Sequence, residues 1–214
     1  MKLHTYFRSS AAFRARIALN LKGIDYESVS VDLRPPTSHQ RSPEFLAINP
    51  LGLVPALQHD GTIVTQSLAI IEYLDELYPQ PPFLPASPAA RAHVRGMALT
   101  VACDIHPLNN LRVLNYLRAP LGHDEDAVNA WYHHWIGVGF RSLEDDARRL
   151  SGDGRYMFGK SVTLADIFIV PQMYNARRLK CDIEAYPTLR AICAHLESLP
   201  PFAKAAPEAQ PDAS

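Results

Sequence analysis

Two serine-containing segments have the residue types needed to activate a thiol or to bind an anion. Ser9 and Ser10 lie between a strand-like stretch, residues 2–7, and a stretch with helical spacing, residues 11–22. A hydroxyl near the positive end of a helix can donate a hydrogen bond to sulfur and so favour the thiolate. Ser67 is the expected N-cap of a later helix, where free N–H groups attract a carboxylate. Because serine is a common cap, either segment could instead serve only to begin its helix.

Arginine side chains provide a second chemical signal. Arg8 immediately precedes the serines, and Arg112 and Arg178 lie in later stretches with helical spacing. A guanidinium matches a carboxylate in shape and charge, so converging arginines would favour a substrate with two carboxylates. For any single arginine, pairing with a surface acid is the simpler explanation. His106 precedes Pro107 and could equally mark a helix bend or line a site.

The chain from residue 49 to residue 74 combines a proline-entered strand, a tight turn and a helix. Pro55 cannot donate a hydrogen bond to a neighbouring strand, so the Val54-Pro55 pair is expected at a strand start or a bend. If their peptide bond is cis, the Val54 backbone turns outward and can pair with an extended peptide; the sequence alone does not fix the isomer. Asp60-Gly61 is a strong hairpin signal between two short strands.

The order of elements predicts an α/β thioredoxin-like domain followed by an all-α domain. Residues 1–80 are expected to form a mixed sheet with helices on both faces. The proline-rich residues 81–88 predict a stiff linker. In residues 89–214, we expect a surface tail after residue 200 and helices over residues 89–117 (bent near Pro107), 124–150, 164–179 and 188–199.

Composition indicates a soluble globular protein and excludes several classes of function. Of the 214 residues, 47% are hydrophobic and 20% are charged, which suits a substantial core. The formal net charge of −1 gives no electrostatic basis for binding nucleic acid or an anionic membrane. No apolar stretch approaches the roughly 20 residues of a membrane span, and no signal peptide is evident. Cys103, Cys181 and Cys193 lack metal-site spacing, so we expect no metal and reduced thiols in the cytoplasm.

Several motifs resemble those of the glutathione transferase superfamily. The run V-P-A-L, a hairpin and then Q-S-x-A-I-x-E-Y-L resemble its glutathione-binding half. Residues 7–19, FRSSAAFRARIAL, are similar to the zeta-class signature S-S-C-x-W-R-x-R-I-A-L, with Ala11 in place of Cys and Phe13 in place of Trp. The resemblance covers nearly the whole chain, including I-H-P-L-N-N and V-P-Q-M-Y-N-A-R-R. Because Ala11 removes the only local thiol, thiol chemistry would come from glutathione itself.

The resemblance implies a glutathione-binding first domain, a substrate-binding helical domain and a role for each site residue. Ser9 would activate the thiol, with Arg8 and Arg178 sharing in catalysis. The Val54 backbone would pair with the cysteinyl part of glutathione, and Gln40 would hold its glycyl end. The residues implied to contact glutathione are Ser9, Ser10, Ala11, Gln40, Val54, Pro55, Gln66, Ser67, His106 and Asn110. Those implied to line the substrate pocket are Arg8, His106, Asn110, Arg112 and Arg178.

The Thr163-Leu164-Ala165-Asp166 run resembles the buried capping motif of the same superfamily's helical domain. Thr163 can cap the helix while Asp166, three residues on, reaches back to the backbone. We therefore interpret Asp166 as a residue of the fold and not as a catalytic acid.

The function implied by the resemblance is glutathione-dependent cis–trans isomerisation of maleylacetoacetate or maleylpyruvate to the fumaryl product, in tyrosine or other aromatic degradation. The glutathione thiolate would add to the cis double bond, the intermediate would rotate, and the thiolate would leave with the bond trans. Cationic and hydrogen-bonding groups would stabilise the enolate formed on the way. The sequence does not fix which maleyl substrate is physiological.

Two alternatives remain at this point, one within the enzymes and one from a different functional class. One is a general glutathione transferase acting on small electrophiles such as α-halo acids, and the effect of Ala11 on that activity is open. The other is a non-catalytic interaction module, which would have no need of an intact Ser9, Gln66 and Ser67. The resemblance also implies a homodimer with two-fold symmetry.

Overall fold

A computed structural model describes residues 1–213 of the chain. The chain divides into two compact units. The first comprises Met1–Pro82 together with the residues from Ser198 onward, and the second comprises Phe83–Glu197. The predicted division assigned the last residues to the helical domain, whereas in the structure they pack with the first unit. No helix within residues 1–213 is long and apolar enough to cross a membrane.

The secondary structure follows the predicted order of elements in the first unit and is helical in the second. The strands are β1 (Lys2–Thr5), β2 (Glu27–Ser30), β3 (Ala56–His59) and β4 (Thr62–Thr65). The helices are α1 (Ser10–Leu21), α2 (Pro43–Ile48), α3 (Ser67–Leu77), α4 (Pro88–Leu99), α5 (Leu111–Arg118), α6 (Glu125–Leu150), α7 (Leu164–Arg178), α8 (Pro187–Glu197) and α9 (Pro200–Ala205). A π-helical segment, Thr100–Ile105, follows α4, and short 3-10 turns span His39–Arg41 and Pro207–Ala209.

The strands form one mixed sheet in the order β2-β1-β3-β4. Strand β1 runs parallel to β2 and antiparallel to β3, with Leu3 opposite Leu57. The β3–β4 hairpin turns through Asp60 and Gly61, which both have left-handed φ values, 47° and 78°. A tight turn of this kind requires residues that tolerate positive φ, and Asp60 and Gly61 provide them. The predicted hairpin is therefore confirmed.

Helix α9 corrects the expectation of a surface tail after residue 200. Phe202 is 1% exposed, and α9 packs against α1. Arg16 of α1 donates from Nε to the Ala205 carbonyl at 3.0 Å, and Asn20 donates to the Pro201 carbonyl at 2.9 Å. The prolines that suggested a tail occupy the first turn of a helix, where a missing N–H costs nothing.

The predicted long helix over residues 89–117 is wrong, because the structure breaks it into α4, the π-helical segment and α5. The His106 N–H bonds the Val101 carbonyl five residues back, at 2.9 Å, instead of the usual four. Opposite this segment lies Gly139 of α6, where an added Cβ would come 2.2 Å from Ile105 Cδ1. Close packing against a glycine thus accompanies the change of helix type, which hydrophobic periodicity does not reveal.

Buried carboxylates fix the starts of two helices in the second unit. Asp166, fully buried, accepts from the Thr163 N–H at 2.7 Å and from the Met157 N–H at 2.8 Å, so the capping box forms as its spacing predicts. Glu144 of α6 accepts from the N–H groups of Thr188 and Leu189 at 3.0 and 2.9 Å, in the first turn of α8. Both acids therefore serve the fold.

Candidate active site

Ser9 is the N-cap of α1. Its Oγ accepts a hydrogen bond from the Ala12 N–H at 3.2 Å. A serine hydroxyl has one hydrogen and two lone pairs, so this contact leaves the hydrogen for another acceptor. Ser9 is half-buried, at the positive end of a twelve-residue helix. The two interpretations of Ser9, as a cap and as a thiol-activating group, are therefore compatible in one residue.

Residues on both sides of Ser9 differ in their access to solvent. Arg8 is exposed, with its guanidinium 4.9 Å from the centroid of the Phe7 ring. Ser10 is buried as the first residue of α1, and Ala11 is half-buried. An exposed cationic residue therefore directly precedes Ser9 in the chain, and a guanidinium is well matched to a carboxylate.

The start of α3 differs from the prediction in one respect. Gln66, not Ser67, is the N-cap, and it makes no side-chain capping bond. Gln66 is exposed and has a φ of 69°, a conformation that is uncommon outside glycine and clusters at functional sites. Ser67 is the first helical residue and is 7% exposed. The Ser67 hydroxyl accepts a hydrogen bond from Nη1 of Arg14, a buried residue of α1, at 3.4 Å.

The remaining predicted glutathione contacts of the first unit lie on adjoining loops. The peptide bond between Val54 and Pro55 is cis, and both residues are buried. Gln40 is half-buried in a 3-10 turn. A Cβ added to Gly52, which has a φ of 61°, would lie 2.8 Å from the Gln40 carbonyl oxygen. The turn that carries Gln40 is thus packed against the loop that leads to Val54, and a glycine makes that approach possible.

In the second unit, the structure places three of the predicted residues along one short segment. His106 ends the π-helical segment and is half-buried. Asn110 is the N-cap of α5, and its Oδ1 accepts from the Arg112 N–H at 3.1 Å. The Arg112 side chain is exposed in the first turn of α5. Asn110 therefore sets the direction of the helix that carries Arg112.

Arg178 is the last residue of α7 and is exposed. It lies near Tyr132 of α6, whose pKa is raised by burial, an effect that the positive charge of Arg178 partly offsets. The side chain of Asn109 donates to the Tyr132 carbonyl at 3.1 Å. One residue of α6 thus connects Arg178 with the segment that carries His106.

Tyr132, Asn109 and Trp131 were not singled out from the sequence. Trp131 Nε1 donates to the Leu108 carbonyl at 2.9 Å, so α6 holds the segment before α5 at two successive residues. On a helical pattern, Trp131 and Tyr132 look like ordinary core aromatics. The signal that could have found them is polar: a Trp or Tyr that is largely buried usually needs a hydrogen-bond partner.

Comparison with known proteins gives consistent matches. Residues 8–77 match the family model described as the N-terminal domain of glutathione S-transferase. A probable maleylacetoacetate isomerase of Vibrio cholerae is 50% identical over 211 residues, covering 99% of this chain and 97% of that protein. The maleylpyruvate isomerase of a Ralstonia species is 47% identical, with 100% of both chains covered.

Solved structures agree with these relatives. The holo structure of a maleylpyruvate isomerase, a bacterial glutathione S-transferase of the zeta class, has a TM-score of 0.96 at 47% identity, with 100% of both chains covered. The maleylacetoacetate isomerase of Methylobacterium extorquens, with bound malonate and glutathione, has a TM-score of 0.94 at 41% identity, again over 100% of both chains.

The chain therefore belongs to the glutathione S-transferase family. Within that family, it belongs to the zeta class that includes the maleylacetoacetate and maleylpyruvate isomerases. The predicted resemblance and the predicted fold class, a thioredoxin-like domain followed by helices, are confirmed.

Proposed function

We propose that the protein is a glutathione-dependent cis–trans isomerase that converts maleylacetoacetate or maleylpyruvate to the fumaryl product in aromatic degradation. Relatives of those names are 47–50% identical over nearly the whole chain. The observation on which the proposal chiefly rests is the Ser9 hydroxyl, able to donate at the positive end of α1 and next to the exposed Arg8. A thiol-activating group beside a carboxylate-binding group is what addition to a maleyl double bond requires.

The donors of the first unit fit glutathione as a cofactor. Ser67 and the start of α3 would hold its γ-glutamyl carboxylate, because a hydroxyl and free N–H groups meet there. The Val54 backbone would pair with the cysteinyl part, and Gln40 would hold the glycyl end. When bound, glutathione supplies a thiolate that can add reversibly to a carbon–carbon double bond.

The chain's own residues would bind, orient and stabilise charge. Ser9 donates a hydrogen bond to the glutathione sulfur. This hydrogen bond and the α1 dipole together lower the pKa of the thiol. Arg8 holds the substrate carboxylate nearer the sulfur, and Arg178 and Arg112 hold the distal one. The remaining pocket residues, His106 and Asn110, orient the ligands by hydrogen bonds.

Bound ligands with two or more carboxylates in related structures support a dicarboxylate substrate. The Methylobacterium extorquens isomerase was solved with malonate, and an isomerase of Anaeromyxobacter dehalogenans was solved with dicarboxyethyl glutathione and citrate. General conjugation of small electrophiles is the second candidate, because a zeta-class glutathione S-transferase of Euphorbia esula is 43% identical over 100% of this chain and 93% of that protein.

One assay separates these functions from a non-catalytic role. Purified protein is incubated with maleylacetone or with a chloro-acid, each with and without glutathione, and both products are followed. Glutathione-dependent formation of the trans isomer, faster than conjugation of the chloro-acid, supports the isomerase. Conjugation without isomerisation would favour the general transferase, and neither product would favour an interaction module.

We also propose a homodimer in the cytoplasm. Leu51, on the loop before β3, is 62% exposed, and Ile63 of β4 is 44% exposed, which is apolar surface suited to a second copy of the chain. Cys103, Cys181 and Cys193 are free thiols, as expected in a reducing compartment.

A further inference from the structure

A buried guanidinium contacts the hydroxyl that is proposed to receive the γ-glutamyl carboxylate. Arg14 lies in the second turn of α1 and is 1% exposed. Its Nη1 donates to Ser67 Oγ at 3.4 Å, across the packed pair of helices α1 and α3. A positive charge therefore lies directly behind the first residue of α3, on the side away from solvent.

The direction of this hydrogen bond determines what Ser67 can offer to a ligand. Arginine has five N–H donors and no acceptor, so towards Arg14 the Ser67 oxygen can only accept. The single hydroxyl hydrogen must then point elsewhere and is left for an acceptor. A carboxylate accepts hydrogen bonds and donates none, so the hydroxyl hydrogen that Ser67 does not use towards Arg14 suits that group.

The charge of Arg14 favours the same ligand. Burial lowers the pKa of Arg14 to about 9, so the side chain is still a cation at neutral pH. Away from water, its attraction for an anion is weakened less by the solvent than that of a surface arginine. The positive end of α3 adds to this attraction at the same place.

We propose that Arg14 is a positioning residue for the cofactor: it orients the Ser67 hydroxyl and makes this corner selective for the γ-glutamyl carboxylate. The inference rests on the proposed function, which puts that carboxylate at Ser67.

The other buried arginine of α1 has a different set of contacts. Arg16 is fully buried and donates to the hydroxyl of Thr5 at 2.9 Å and to the carbonyls of Phe7 and Ala205 at 2.9 and 3.0 Å. These contacts join α1 to the end of β1 and to α9, so Arg16 holds the fold together. Arg14, two residues earlier, instead contacts a hydroxyl at the start of a helix, which is why we assign it a ligand-directed role.

The test compares two ligands on four proteins. The ligands are glutathione and an analogue in which the γ-glutamyl α-carboxylate is replaced by hydrogen, γ-aminobutyryl-cysteinyl-glycine. The proteins are wild type, Arg14→Met, Arg14→Lys and Ser67→Ala, and affinities are measured by titration calorimetry. We expect Arg14→Met to lower the affinity for glutathione about tenfold or more and the affinity for the analogue less than about twofold. Arg14→Lys, which keeps a donor and a charge, should recover most of the loss.

Each outcome bears on the inference. An equal loss of both ligands in Arg14→Met would make Arg14 a residue of the fold only and overturn the inference. A loss selective for glutathione in Ser67→Ala but absent in Arg14→Met would overturn the inference while leaving the proposed site intact. No loss in Ser67→Ala would remove the proposed carboxylate site, and the inference with it. Should Arg14→Met fail to fold, Arg14→Gln, which keeps a donor without charge, makes the same two-ligand comparison.

Discussion

We propose two functions for the Ser9 hydroxyl, thiol activation and helix capping, and measurement can separate them. Ser9→Ala should lower the isomerisation rate by about a hundredfold or more, the scale of a lost donor to developing charge. The same change removes the N-cap bond to Ala12 and should lower the free energy of unfolding by about 1 kcal/mol. Steady-state kinetics and urea unfolding on the same preparation distinguish the two effects.

Ser10→Ala is the matched control, because Ser10 is the adjacent serine but is buried within α1. It should cost less activity than Ser9→Ala. Small and equal losses in the two variants would remove Ser9 from the mechanism. Ser9→Asn, which can still cap the helix, should regain stability but not activity.

The exposed arginines distinguish an isomerase of dicarboxylates from a general transferase. Arg8→Met and Arg178→Met should each lower kcat/KM on the maleyl substrate by about ten- to a hundredfold, the equivalent of about 1.5–3 kcal/mol for a charge-assisted bond. Turnover of an uncharged chloronitrobenzene should barely change, because it has no carboxylate to hold. If both activities fell together, the arginines would serve the fold or glutathione instead.

At the scale of elements, the packing of α6 against the π-helical segment can be tested with two glycines. In Gly139→Ala, the new Cβ would meet Ile105 Cδ1 at 2.2 Å, so we expect a loss of about 1–3 kcal/mol in the free energy of unfolding. Gly137→Ala is the control, since its Cβ would meet nothing nearer than 3.7 Å, and helix propensity should stabilise it by up to about 1 kcal/mol.

Because His106 directly follows Ile105, Gly139→Ala should also lower kcat/KM on the maleyl substrate more than Gly137→Ala does. Urea unfolding and kinetics of both variants provide the check. Equal stability of the two would show that Ile105 moves aside freely and that Gly139 does not define the packing.

The capping box of α7 should make stability depend on pH in a defined direction. Burial raises the pKa of Asp166 to about 6 from an ordinary value of 3.8, so the folded state holds this proton more tightly than the unfolded state. Its contribution to stability is therefore fully present below about pH 4 and is lost as pH rises through about 6. The free energy of unfolding of wild type, relative to that of Asp166→Asn, should fall by about 3 kcal/mol over that range. Parallel pH curves from urea unfolding of the two proteins would contradict this.

Local signals predicted the elements whose causes are local. The pair Asp60-Gly61 predicted a hairpin, and the spacing of Thr163 and Asp166 predicted a capped helix. Both are present in the structure. The break after Leu99 was not predicted, because it goes with the packing of Ile105 against Gly139 of α6, a helix that comes much later in the chain. Helix α9 was missed for the same reason, since Phe202 finds its packing on α1.

The candidate site likewise contains residues that sequence motifs predict and residues that only the structure identifies. Ser9, Gln66 and Ser67 stand in motifs that could be recognised, although Gln66 and not Ser67 proved to be the cap. Arg14 contacts Ser67 across 53 residues of chain. Tyr132 is buried near Arg178. No periodicity distinguishes such residues from ordinary members of a helix.

At the scale of the whole molecule, the proposed homodimer predicts a specific response to a charge on the exposed loop before β3. Wild type should sediment at twice the mass of the chain at micromolar concentration. Leu51→Glu puts a charge on a side chain that is 62% exposed in the single chain and that we expect a partner to cover, so it should shift the equilibrium to monomer. Leu51→Met keeps the apolar character and should stay dimeric.

An exposed leucine contributes little to the fold of its own chain. A monomeric Leu51→Glu should therefore show intact secondary structure by circular dichroism before thermal unfolding begins. A wild-type monomer with full activity would contradict the dimer, and a dimeric Leu51→Glu would move the interface away from this loop.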